Sequence, residues 1–199
     1  MAGKDQMRLL GFKEMAIKAF YFLERDYGYK CVVANDTFIR YECNLTFVNI
    51  YHGRTSYEIG FEVGPRNKDH DVDLEERFSL FDLLELAGVR EELGYEFYQA
   101  STTETMIPIV DKIAEWVKVY GVDALKGDAN TFARLTEIQK KLSDNYLENI
   151  ELRRVIEKAT SAWKDRRFAD YIKICKPFEN KLSPTERNKL EYAKRKIGR

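Results

Sequence analysis

Between residues 57 and 63 the chain alternates strictly. Tyr57, Ile59, Phe61 and Val63 fall on one side, Glu58, Gly60 and Glu62 on the other. Successive side chains of a strand leave opposite faces of a sheet, so this is the pattern of a half-buried strand. Three more short runs precede it, at 29–34, 37–43 and 45–51, divided by the turn-favouring Asn35-Asp36, Asn44 and His52-Gly53-Arg54-Thr55. Connections this short allow only antiparallel neighbours and predict a four-stranded meander. One face collects Ile39, Tyr41, Val48, Ile50, Tyr57, Ile59, Phe61 and Val63 and is a core face. The other mixes aromatic and charged groups: Phe38, Arg40, Glu42, Phe47, Asn49, Tyr51, Glu58 and Glu62.

Elsewhere the apolar spacing is helical. Phe12, Ala16, Phe20, Leu23 and Tyr27 form one stripe before a stop at Gly28. Ser79 with Asp82 is a capping-box pair opening a short helix to Gly88, and Ser101 with Glu104 repeats the device. Ile107, Val110, Ile113 and Val117 then form a stripe that ends at Gly121. From about residue 130 the pattern is helical throughout. A long helix or broken pair at 130–164 carries Phe132, Leu135, Ile138, Leu142, Tyr146, Ile150, Val155, Ala159 and Trp163 along its inner face. Another helix spans 168–178, and Ser183-Pro184 with Glu186 marks the start of the last. The fold class is therefore α+β: an N-terminal helix packed on a four-stranded antiparallel β-meander, followed by a C-terminal all-helical part. The domains read as 1–95 and 96–199, with a single shared core as the open alternative.

Net charge is zero over 199 residues, but it is unevenly spread. Residues 65–100 hold 4 Lys/Arg against 10 Asp/Glu, and residues 151–199 hold 15 against 7. Such asymmetry marks either interaction surfaces or solvated helix faces. No apolar run approaches the roughly 20 residues of a membrane span. Three cysteines without CxxC spacing, and an N-terminus lacking an apolar signal region, point to a cytoplasmic protein with reduced thiols.

Candidate chemistry is sparse. His52 and Arg54 at a hairpin tip are the weak catalytic candidates, the imidazole as general base and the guanidinium as phosphate clamp. Asn67, Asp69, Asp71 and Asp73 alternate oxygen donors, but the glycine and glutamate that a calcium loop requires are missing in either register. No metal site and no cofactor is expected. Cys31 and Cys43 read as buried apolar cysteines, whereas Lys173 and Lys176 would lower the Cys175 pKa slightly.

Ala159, Trp163, Phe168 and the Leu182-Ser183-Pro184 exit resemble a single tetratricopeptide-type helix pair with a following helix. Tyr171 and Phe178 depart from that pattern, and no second copy is visible. The resemblance implies a protein-contacting helical hairpin. The helix–meander order and the strand at 57–63 resemble small bacterial cytosolic α+β domains, including immunity proteins of toxin–immunity systems.

The expected function is a non-catalytic protein-binding module of the immunity or adaptor type. Its contacts would be Phe38, Arg40, Tyr51, Glu58 and Glu62 on the mixed sheet face, or the acidic run at Asp69, Asp71 and Asp73. A nucleic-acid-binding protein using Arg166, Arg167, Lys194, Arg195 and Lys196 is the first alternative. An enzyme centred on His52 is the second.

Overall fold

The computed structural model describes residues 11–67 and 75–198. The chain forms two compact units, Met1–Gln139 and Lys140–Arg199. It is α+β, with a five-stranded antiparallel sheet in the first unit and an all-helical second unit. The boundary expected between residues 95 and 96 falls inside the first unit, whose core takes in the helices at 103–125. Among the described residues no helix is long and apolar enough to cross a membrane.

The first unit begins with helices α1 (Phe12–Ala19) and α2 (Phe22–Tyr27), broken between them at Phe20-Tyr21. Strands β1 (Lys30–Ala34), β2 (Phe38–Glu42), β3 (Thr46–His52) and β4 (Ile59–Pro65) form the expected meander. A fifth strand, β5 (Phe78–Ser79), joins it beside β4. Two residues are too short a run to show a period, which is why the sequence pattern does not reveal it. Helices α3 (Leu80–Ala87), α4 (Thr103–Tyr120) and α5 (Val122–Leu125) follow.

Register places the two faces as the alternation requires. Ile39 lies opposite Ile50 and Ile50 opposite Phe61, whereas Arg40 lies opposite Asn49 and Asn49 opposite Glu62. The Ile50 face is closed by α1 and α4, with Phe20 stacked on Phe61 at 6.0 Å. Tyr29 ties the sheet to α5: its hydroxyl donates to the Leu125 carbonyl at 3.0 Å and bonds the Thr46 hydroxyl.

Local differences from the pattern have simple causes. Tyr57 is not a strand residue: β4 opens at Ile59, and Tyr57 sits in the preceding turn with φ +56°. The N-cap of α4 is Thr102, accepting from the Thr105 amide, one residue beyond Ser101. Met106, four residues before Val110 on the same helix face, lies in the core instead of Ile107, which is exposed. The Ser79–Asp82 capping box forms in full.

The second unit comprises the later turns of α6 (Ala129–Lys164), then α7 (Phe168–Cys175), a 3₁₀ segment (Lys176–Lys181) and α8 (Pro184–Ile197). The stretch at 130–164 is thus one continuous helix of 36 residues. Leu142 and Tyr146, expected on its inner face, are exposed, while Ala159 and Ala162 are buried. Tyr171 fills the core against Trp163 at 5.2 Å, a large residue where the tetratricopeptide pattern wants a small one. Ser183 caps α8 through the Glu186 amide, with Pro184 at its first position.

Close approach across the sheet makes Gly64 sensitive. A Cβ there would collide with the Glu76 carbonyl oxygen and come within 2.9 Å of the Phe47 ring. Gly64→Ala is expected to destabilise the first unit by about 1–3 kcal/mol, the usual cost of overpacking. Urea unfolding read from Trp116, with Trp163→Phe silencing the second unit, checks this.

Candidate functional site

Arg40 stands at the centre of the mixed sheet face, and it is buried. Its guanidinium donates two bonds of 2.8 Å to the Glu75 carboxylate, one of 2.7 Å to Glu42 and one of 3.2 Å to the Asn49 side-chain oxygen Oδ1. It also lies 4.3 Å from the centroid of the Phe47 ring. Asn49 passes the network on by donating to Glu62 at 3.1 Å, and Arg66 holds the other side of Glu42 at 3.0 Å. The Arg40 and Glu75 side chains are only 7% and 1% exposed, so this face is a covered polar layer. Glu75 is the residue that sequence reasoning missed. It lies 35 positions from Arg40 in a run without a period, and nothing local marks it as a partner.

Next to that layer the same face turns aromatic. The Tyr51 ring lies flat over Gly60, where any Cβ would collide with it. Burial first, then Glu62 and Glu58, push the Tyr51 phenol up to about 12. Tyr95 is raised as well, by burial and then by Tyr51 and Glu58, which places it within the electrostatic reach of both. Tyr95 meets Phe81, Phe97, Tyr98 and Trp116 at centroid distances of 5.9–6.3 Å. Phe97 stacks on Phe81 within 5° of parallel and is 66% exposed. Arg90 lies over Phe81, and Lys112 over Trp116 at 4.7 Å. The exposed carboxylates Glu91, Glu92 and Glu96 interleave with these rings in sequence. Phe81 and Trp116 fall in expected helices, but Tyr95, Phe97 and Tyr98 have no helical or alternating period, so spacing gave no signal that these rings meet.

The expected contact residues are thus divided. Arg40 and Glu62 are engaged within the face, Phe38 and Glu58 are partly exposed, and Tyr51 adjoins the aromatic cluster. Asp69, Asp71 and Asp73 lie outside the described residues. His52 and Arg54 are not brought together: Arg54 is exposed, whereas His52 is buried between the Phe12 and Tyr57 rings. His52 Nε2 donates to the Ala100 carbonyl at 2.7 Å, and Nδ1 has no partner among the described residues. Its position is that of a core histidine. Cys31 is exposed on the edge strand β1 instead of buried. The Cys175 thiol is raised rather than lowered, because burial outweighs the Tyr171 hydrogen bond and the charge of Lys189. Among the described residues, no three His, Cys, Asp or Glu side chains form a group able to hold a metal.

The basic residues of the second unit also divide. Arg167 pairs with Asp165 and Asp170, and Lys194 with Glu179 and Glu191. Arg195 is exposed and donates to the Glu191 carbonyl. Arg166 and Lys196 instead line a cavity with Lys164, Trp163, Phe168 and Tyr192.

Glu75→Ala is expected to destabilise the first unit by about 3 kcal/mol, the low end for a broken buried pair, because Glu42 stays beside Arg40. Arg40→Met with Glu75→Leu should lose less than Glu75→Ala alone, since no charge is then stranded. Urea unfolding of the two variants, read from Trp116, compares them directly. The tyrosines set an alkaline limit. Tyr51 keeps its proton more tightly folded than unfolded, so its contribution is complete below about pH 10 and lost as pH rises towards 12. Thermal melts across that window should fall in wild type and fall less in Tyr51→Phe.

Compared with models of protein families, with curated proteins and with solved structures, the chain matches none.

Proposed function

We propose that the chain is a non-catalytic protein-binding module of the adaptor or immunity type, acting in the cytosol, which docks a basic segment of its partner on the first unit. The observation that carries this is the exposed Phe97 ring, stacked on Phe81 and continuous with Tyr95, Tyr98 and Trp116. Aromatic rings at a surface are costly to leave in water and are enriched where partners bind. The charge around them selects the partner's sign. Glu91, Glu92 and Glu96 are exposed, and Glu58 acts on Tyr95 from the sheet. Arg90 and Lys112 already lie over Phe81 and Trp116, so a lysine or arginine entering this surface meets the exposed Phe97 ring and the carboxylates, and both attract a cation. The acidic residues Asp69, Asp71 and Asp73 add charge of the same sign and speed encounter with a basic protein.

The surface differs from the expected one mainly in where the contact energy lies. Arg40 is engaged by Glu75, so Tyr51 and Glu58, which act on Tyr95, serve as a rim to the Phe97 cluster, with Phe38 opposite Tyr51 in the sheet.

Phe97→Ala and Glu91→Gln/Glu92→Gln/Glu96→Gln test the reading, because all four side chains are exposed and the fold should survive their loss. Wild type and variants are used to capture partners from nuclease-treated native lysate, and the affinity of a captured protein is then measured by calorimetry. A basic protein bound stoichiometrically by wild type and at least about tenfold more weakly by Phe97→Ala is the expected result, in keeping with an aromatic hot spot. Equal binding by both variants would remove this surface from the proposal.

A further inference from the structure

We propose that the second unit carries a separate site for single-stranded nucleic acid, in the cavity lined by Trp163, Lys164, Arg166, Phe168, Tyr192 and Lys196. The cavity is about 570 Å³, the size of a small-ligand pocket. Its walls are three rings and three cations, with no carboxylate. Trp163 meets Phe168 at 5.5 Å and Tyr192 at 5.6 Å, and Tyr192 is 42% exposed. Lys189 lies over the Trp163 ring and Lys196 over that of Tyr192.

The charges on this wall are not neutralised by a carboxylate among the described residues. The nearest acids in sequence are already paired, Asp165 with Arg167 and Glu191 with Lys194. Lys164, Arg166 and Lys196 have no carboxylate partner among the described residues. Rings interleaved with cations match the alternation of base and phosphate along an unpaired strand. Every base offers a π-face to stack, and each phosphate contact releases counterions. A duplex hides those faces, which favours a single strand. An acidic protein segment would use the cations and leave the rings idle.

Arg166 supports the assignment from the backbone. It ends α6 in the left-handed region, φ +58°. Its amide bonds the Trp163 carbonyl at 3.0 Å and the Arg167 amide bonds the Ala162 carbonyl at 2.9 Å, the closing pair of a Schellman motif. Glycine is the residue that such a position favours. Arginine there is a local cost, and its side chain faces the cavity rather than an ion-pair partner.

The test uses the full chain with Trp116→Phe, so that Trp163 is the single tryptophan. A 12-nucleotide oligo(dU) is titrated against it at 50 mM salt, with uridine monophosphate and a polyglutamate peptide as separate arms. Quenching of Trp163 by the oligonucleotide is expected, with a log–log salt slope of about −2 for three phosphate contacts. Arg166→Gly should bind at least tenfold more weakly while melting at the same or a higher temperature, so weak binding cannot be ascribed to misfolding. Lys164→Gln/Lys196→Gln should weaken binding further. The proposal is overturned by no quenching with the oligonucleotide, by wild-type affinity in Arg166→Gly, or by equal affinity for uridine monophosphate or polyglutamate.

Discussion

A charged guanidinium on a sheet face must be either solvated or covered and matched, and Arg40 is covered and matched. Its forked pair with Glu75 draws the segment after residue 74 onto the outer side of the sheet. Once Glu75 is seated, Phe78 and Ser79 fall opposite Val63 and Glu62 and extend the sheet by β5. Ser79 is then also the N-cap of α3, bonded reciprocally with Asp82. Gln139 closes the arrangement by donating to the Arg77 carbonyl and to Asp82. The orientation of Phe81, and hence of the Phe97 cluster, depends on this sequence of contacts. A buried pair is weak evidence for net stability, because desolvation offsets much of its attraction. Its larger effect here is to choose one seating for a chain segment that has no hydrophobic period of its own.

The zero net charge conceals two aromatic surfaces of opposite electrical character. In the first unit the rings of 81–98 are interleaved with Glu91, Glu92 and Glu96, and in the second the rings of 163–192 stand among Lys164, Arg166 and Lys196. Ring faces favour cations and also stack on flat π-systems, so in the two proposed readings the surrounding charges would set which ligand each surface admits. Of the 10 anions counted at 65–100, Glu91, Glu92 and Glu96 stand beside the first surface, and of the 15 cations at 151–199, Lys164, Arg166 and Lys196 line the second.

How much was legible follows from the range of the forces concerned. Strand alternation and the Ser79–Asp82 and Ser183–Pro184 starts are local, and they read correctly because each is decided within a few residues. Leu142 and Tyr146 fit a helical stripe and are exposed, because period alone does not say where a partner surface ends. His52 looked like a hairpin-tip residue, but strand β3 carries it inward onto Phe12 and the Ala100 carbonyl. The Arg40–Glu75 pair and the Tyr95–Trp116 contact bring together residues distant in sequence, and no spacing rule connects them.

Among the described residues two non-glycines have positive φ, and they differ in what their side chains gain. Tyr57 adopts φ +56° and packs its ring against His52 and the core, so the contacts it gains offset the local cost. Arg166 adopts φ +58° with an exposed side chain and no ion pair among the described residues. Left-handed backbone costs a non-glycine residue on the order of 1 kcal/mol. At Tyr57 burial accounts for keeping the side chain. At Arg166 no internal contact does, and what remains is the open cavity beside Trp163 that the guanidinium lines.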